Sequence, residues 1–176
     1  DPAQAVDSSV ALIKAGATAV KLEGGVHMAE TIRAISNVDI PVMGHIGLTP
    51  QSFHRMGGHK VQGRNDGFGP GGRDRLLEDA HAVDNAGAFA LVIEGVPSVL
   101  ATEITEKVSI PTIGIGAGPS CSGQVLVFHD YLGLTKREFT FAKKFANLHD
   151  TIIQATESYA QEVRNGSWPD EAHSYK

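Results

Sequence analysis

Residues 15–24, AGATAVKLEG, recur 71 positions later as residues 86–95, AGAFALVIEG. Each copy has a glycine turn, a short and mostly apolar run, and a terminal Glu-Gly pair. The following segments repeat as well, because residues 38–44, VDIPVMG, match residues 108–114, VSIPTIG, at an offset of 70. The chain therefore contains two copies of one strand-and-helix unit, about 70 residues apart. Short strands of buried type that alternate with helices predict a parallel sheet, since parallel neighbours need a crossover connection.

The rest of the chain extends this alternation of helices and strands. An open doubly wound sheet and a barrel both satisfy the order. A long glycine-rich loop is predicted over residues 46–73, and loops of that length often act as lids, binding loops or interface elements. The predicted helices are residues 3–14, with Asp1 as N-cap and Pro2 first in the helix, 27–35, 74–85, 97–107 and two within 136–164; the predicted strands are residues 18–22, 40–45, 89–93, 112–115 and 124–128.

Composition narrows the class of protein. The 176 residues are 41% apolar and 20% charged, which suits one globular domain over residues 1–176 with a helical region at 136–176. The net charge of -5 and the lack of a basic stripe argue against nucleic acid as a partner. The lone Cys121 excludes an internal disulfide, so a reducing compartment, the cytoplasm, is expected. No apolar run reaches the roughly 18 to 20 residues that a membrane helix needs, so no membrane partner is expected.

Four polar residues are predicted to converge at the carboxyl ends of three strands. Side chains alternate along a strand, so Lys21 and Glu23 share one face. Glu94 occupies the matching place in the repeat, and His45 ends the strand between them. Carboxylates are hard ligands of the kind that magnesium prefers, and a lysine suits a carboxylate or an enolate. The pattern predicts a site for an anionic oxo acid.

Each of these residues also has a purely structural interpretation. Glu23 and Glu94 could cap the helices that follow their strands. Lys21 could simply form an ion pair with Glu23. His45 alone is often a hydrogen-bonded core histidine.

Beyond these residues, the sequence resembles the ketopantoate hydroxymethyltransferase family. The resemblance covers essentially the whole chain, and its strength is the order and spacing of the motifs. The matching segments are VKLEGG at 20–25, IPVMGHIGLTPQS at 40–52, GG at 57–58, KVQGR at 60–64, EGVP at 94–97, IPTIGIGAG at 110–118, GQVLV at 123–127, HD at 129–130, and the tail from Trp168-Pro169 to His173-Ser174.

The resemblance implies a (β/α)8 barrel of the type that binds phosphoenolpyruvate or pyruvate. It implies transfer of a hydroxymethyl group from 5,10-methylenetetrahydrofolate to 3-methyl-2-oxobutanoate, giving 2-dehydropantoate for pantothenate synthesis through a magnesium-stabilised enolate. In the family's pattern Lys21 and His45 contact the substrate, Glu23 belongs to the magnesium site, and Glu94 accepts the proton. A homo-oligomer, often a decamer, is also implied.

One departure from the family's pattern leaves alternatives open. Five strands are predicted here against eight in a full barrel, so about three N-terminal strands, with two metal-binding aspartates, are expected to be absent. A chain without them is expected to be inactive by itself. The alternatives are a related magnesium-dependent lyase or mutase of pyruvate-like substrates, and an inactive barrel fragment that survives as a binding partner.

Overall fold

The structure, a computed structural model, describes residues 1–67, 69 and 71–176, and at positions 53 and 55 the backbone alone. Phe68 and Pro70, which belong to the predicted glycine-rich loop, lie outside the described residues. The chain divides into two compact units, Asp1–Val125 and Leu126–Lys176. None of the helices in the described part has the length and apolar character that crossing a membrane requires.

The first unit is built on a parallel sheet, as the repeat predicts. Its described strands number five and follow chain order, so each lies beside the next one in the sequence. This confirms the parallel α/β class. The strands are β1 (Val20–Glu23), β2 (Val42–Gly47), β3 (Ala90–Glu94), β4 (Thr112–Ile115) and β5 (Gly123–Gln124).

Helices alternate with the strands. The first begins as predicted, with the Asp1 carboxylate accepting a hydrogen bond from Ala3 N and proline in the first turn. Helices of the first unit are α1 (Pro2–Lys14), α2 (Ala29–Ser36), α3 (Phe53–Met56), α4 (Arg73–Asn85) and α5 (Ser98–Lys107), with short 3-10 turns at Val26–Met28 and Pro50–Ser52.

The core lies between the sheet and its helices. Val20 belongs to the buried apolar cluster and Leu22 packs against it, so these two residues of β1 lie on the face opposite Lys21 and Glu23. Gly44 lets α4 approach β2, because a Cβ at this position would lie 2.3 Å from Val83 Cγ1. The largest fully buried apolar side chains are Ile32, Ile35, Ile46, Leu91, Ile93, Ile104, Val42, Val83 and Val96.

Two boundaries of the predicted loop and last strand are wrong. The loop begins later than residue 46, since β2 continues to Gly47, and it contains a 3-10 turn and α3. The last strand spans Gly123–Gln124 instead of residues 124–128. Its partner among the described strands, β4, ends at Ile115; Val125 N still donates to Gly114 O, but the residues after Val125 have no strand residue opposite them. Phe128 instead begins a short helix, α6 (Phe128–Tyr131).

The second unit also differs from the sequence prediction. It contains one long helix, α7 (Leu148–Asn165), and residues 136–147 are not helical. Phe139 and Phe141 stand two positions apart, a spacing that gives no continuous helical face. The helix ends at Gly166, whose φ of 76° is the left-handed conformation that favours glycine. A 3-10 turn at Glu171–His173 follows.

Candidate active site

The four predicted site residues lie together in the first unit. In the sheet register Glu23 pairs with His45, and Gly47 pairs with Glu94. His45 on β2 therefore stands between a carboxylate at the same level on β1 and another, two residues higher, on β3. This arrangement follows from the alternation of side chains along parallel strands.

The His45 side chain is only 2% exposed and contacts a charged group at each ring nitrogen. Lys21 Nζ lies 3.0 Å from Nδ1, and Glu94 Oε2 lies 3.2 Å from Nε2. An ammonium can only donate hydrogen bonds, so Nδ1 accepts and Nε2 carries the proton. This pairing assigns the tautomer.

The contact between His45 and Glu94 is close but poorly aligned. Although the two atoms are 3.2 Å apart, Nε2 makes no hydrogen bond within the described residues. We regard it as an electrostatic contact, because the acceptor lies off the N–H direction. Buried polar atoms are normally hydrogen-bonded, so a buried donor without a partner at a cluster of charges is typical of a ligand site.

Glu23 is held from two sides. Its Oε1 lies 3.4 Å from Lys21 Nζ and 3.5 Å from His45 Nδ1, and its Oε2 accepts a hydrogen bond from Gln51 N at 3.1 Å. Gln51 belongs to the 3-10 turn after β2, so the carboxylate ties the end of β1 to that turn. Sequence reasoning gave Gln51 no role, because a backbone N–H donor leaves no trace in residue type.

The structural interpretations differ in how well they describe these residues. Among the described residues neither Glu23 nor Glu94 caps the helical element that follows its strand: Glu23 accepts its backbone hydrogen bond from Gln51 N, and the N–H of Val26 donates to Asp79 instead. The ion pair of Lys21 with Glu23 is present, but the lysine side chain is 46% exposed and keeps a donor surface toward solvent. His45 is buried, as a core histidine is, yet its Nε2 makes no hydrogen bond in the part of the chain that the structure describes.

The side chains of this site supply only part of what a magnesium ion needs. In the described residues no cluster of three or more His, Cys, Asp or Glu side chains could hold a metal. Magnesium often keeps several waters and binds through one or two carboxylates together with its substrate. Glu23 fits such a contact, directly or through water. The residues described here thus fit part of a magnesium site and do not form a whole one.

Fold and site together define an α/β protein whose candidate ligand site lies at the carboxyl ends of parallel strands, where the active sites of such proteins are found. The profile of the ketopantoate hydroxymethyltransferase family matches residues 1–171, and the chain belongs to that family.

Curated relatives carry the name 3-methyl-2-oxobutanoate hydroxymethyltransferase. The protein from Trichlorobacter lovleyi is 58% identical over 93% of this chain and 60% of its own length. The one from Clostridium acetobutylicum is 51% identical over 98% of this chain and 62% of its own. The chain thus spans about three fifths of the length of these relatives. A solved structure from Burkholderia cenocepacia J2315, provisionally assigned as a phosphonomutase, aligns over 94% of this chain and 64% of its own, with 17% identity and a TM-score of 0.49.

Proposed function

We propose that the protein carrying this chain transfers a hydroxymethyl group from 5,10-methylenetetrahydrofolate to 3-methyl-2-oxobutanoate, giving 2-dehydropantoate. The observation that carries the proposal is the convergence of Lys21, Glu23, His45 and Glu94, in a member of the ketopantoate hydroxymethyltransferase family. The reaction needs a base for carbon 3 of the oxo acid and a site for its two oxygen functions. Both kinds of group are present in this cluster.

Glu94 is the proposed base. Its side chain is 21% exposed, so it is open to a ligand, and it ends β3. The carboxylate takes the proton from carbon 3, and the electron pair that is left forms the new bond to the one-carbon unit. Water gives its oxygen to the methylene carbon of the donor and its two hydrogens to the two folate nitrogens, so both carbon–nitrogen bonds break and tetrahydrofolate leaves. Attack on this carbon turns its carbonyl oxygen into an alkoxide, to which Glu94 returns the proton. General-base catalysis by a positioned carboxylate contributes typically ~10²–10⁴-fold to a rate.

Lys21 and His45 are proposed to bind the oxo acid. The half-exposed ammonium of Lys21 supplies positive charge for the carboxylate of the substrate, and the Nε2–H of His45 supplies a buried donor beside Glu94. Glu23 is proposed to contact magnesium, which when bound supplies Lewis-acid stabilisation of negative charge on the keto oxygen.

Two finer features of the whole protein belong to the same proposal. The parallel order of the described strands is compatible with a (β/α)8 barrel of the phosphoenolpyruvate and pyruvate type. We also expect a homo-oligomer, and the family resemblance implies a decamer; sedimentation equilibrium of the full-length protein would measure the number of subunits.

The test is magnesium-dependent exchange of the carbon 3 proton. The full-length protein, 3-methyl-2-oxobutanoate and magnesium in deuterated water should give loss of the carbon 3 proton signal by NMR, and a chelator should stop it. Addition of 5,10-methylenetetrahydrofolate should then give 2-dehydropantoate. Exchange without folate-dependent product would favour a lyase or mutase of pyruvate-like acids, and absence of both would favour a binding protein.

A further inference from the structure

A cavity of about 560 Å³ lies in the first unit, at the carboxyl ends of β1 and β2. Its volume is within the range of small-molecule sites. None of the four site side chains lines it, but their neighbours do: Gly24 follows Glu23, and Gly47 pairs in register with Glu94. The cavity therefore reaches the strand ends that carry Glu23 and Glu94.

The segment Lys60–Arg64, most of which lines the cavity, is fixed to the end of β3. Gln62 N donates a hydrogen bond to the carbonyl of Gly95, the residue after Glu94, at 2.8 Å. The Gln62 side chain is buried against Gly71, where a Cβ would lie 2.2 Å from its Oε1. These contacts hold the segment Lys60–Arg64 against the cavity.

The cavity carries excess positive charge. Lys60 and Arg64 line it, both are exposed, and neither has an ion-pair partner among the described residues. Arg75 also lines it, but Asp79 neutralises this arginine, with Arg75 Nε 3.3 Å from Asp79 Oδ1. Two cations thus remain available for an anion.

The cavity also has apolar lining. A pocket that joins apolar side chains to a few charged groups suits a ligand with an apolar body and an anionic end. The oxo acid is a small anion and would contact little of such a surface. An aromatic ring linked to carboxylates would contact both the apolar and the charged lining residues. The apolar lining residues are Ile46, Met56, Val61 and Leu76.

We infer that this cavity binds the aryl-glutamate end of the one-carbon donor, with the aromatic ring against the apolar lining and the glutamyl carboxylates at Lys60 and Arg64. The inference rests on the proposed function for the identity of the donor. It assigns to the segment 60–64 a role in donor binding that is separate from the chemistry at Glu94.

The test compares two stable donor analogues by isothermal titration calorimetry on the full-length protein with magnesium and oxo acid. One is 5-formyltetrahydrofolate, and the other is 5-formyltetrahydropteroate, which lacks the glutamyl carboxylates. The double variant Lys60→Ala/Arg64→Ala should weaken binding of the first about tenfold, the loss of two exposed charge contacts. Binding of the second should fall less than twofold. The control Lys14→Ala/Lys176→Ala removes the same charge from exposed positions that do not line the cavity.

A measurement on the unchanged protein makes the test independent of variant folding. Raising the salt concentration should weaken 5-formyltetrahydrofolate more than the pteroate analogue, because only the former brings the glutamyl charges. Equal losses for both analogues, or no loss in the double variant, would overturn the inference. The carbon 3 exchange assay on the unchanged protein separately decides the proposed function, so the two failures are distinguishable.

Discussion

The Nζ atom of Lys21 lies 3.0 Å from Nδ1 of His45, so a lysine on β1 determines which nitrogen of a histidine on β2 carries the proton. The consequence is that Nε2, the nitrogen facing Glu94, is the donor. Lys21, whose side chain is half exposed to solvent, thus determines the tautomer of His45, whose side chain is 2% exposed.

Replacing Lys21 by Met should remove this preference. We expect the nitrogen NMR spectrum of His45 to show the Nε2–H tautomer in the unchanged protein and a mixture of tautomers in the variant. The oxo acid should bind about tenfold to a hundredfold more weakly, as expected for loss of a charged hydrogen bond. Lys14→Met, at an exposed position on α1, is the matched control. An unaltered His45 spectrum in Lys21→Met would contradict the assignment.

Much of this site could be predicted because it depends on strand alternation. Lys21 and Glu23 had to share a face, and the repeat placed Glu94 at an equivalent strand end. The contacts made by loop backbone could not be predicted in this way. Asp79 on α4 accepts a hydrogen bond from Val26 N across 53 positions, and nothing in either segment's residue types marks that contact.

In the fold, too, features set by the local sequence were predictable, and features that depend on a distant partner were not. The strand positions of the repeat were predicted within a few residues, since period and turn residues decide them. The last strand was predicted too long, because its apolar residues suit a strand but β4 ends at Ile115 and offers no strand residue opposite those after Val125. An apolar run specifies burial or pairing only when a neighbour is available.

Glu94→Gln tests the proposed base. The amide keeps the size of the side chain but accepts no proton, so magnesium-dependent exchange at carbon 3 should fall about a hundredfold to ten-thousandfold. Binding of the oxo acid, measured by calorimetry, should change far less. Glu106→Gln, on the exposed side of α5, is the matched control. Undiminished exchange in Glu94→Gln would remove the base from this position.

Gly25→Ala should destabilise the first unit. A Cβ at Gly25 would lie 2.0 Å from Asp79 Oδ1, the atom that accepts the Val26 N hydrogen bond and contacts Arg75. Relief of the clash requires displacement of Asp79, and overpacking of this kind costs about 1–3 kcal/mol in free energy of unfolding. Urea denaturation measures that loss.

The matched control for this substitution is Gly123→Ala. A Cβ there meets no heavy atom within 4 Å, so its unfolding midpoint should stay close to that of the unchanged protein. If both alanine variants unfold at the same urea concentration, the steric argument for Gly25 is wrong.

The last prediction concerns acid stability. The pKa of Glu103 is lowered from its ordinary 4.5, mainly by the hydrogen bond from Lys107 and further by Arg73, which also contacts it from α4. The Glu103 carboxylate binds a proton less readily in the folded state than in the unfolded state. Its contacts with Lys107 and Arg73 therefore stabilise the fold above pH 4.5. That stabilisation is lost as the pH falls through the lowered value.

Glu103→Gln should therefore lower the thermal midpoint at neutral pH and have progressively less effect at pH values below 4.5. Glu106→Gln, whose side chain forms no ion pair among the described residues, should show no such pH-dependent difference. Thermal unfolding of the three proteins between neutral and acidic pH makes the comparison. A Glu103→Gln deficit that persists unchanged into acid would mean that packing of the side chain, and not its charge, stabilises the contact between α4 and α5.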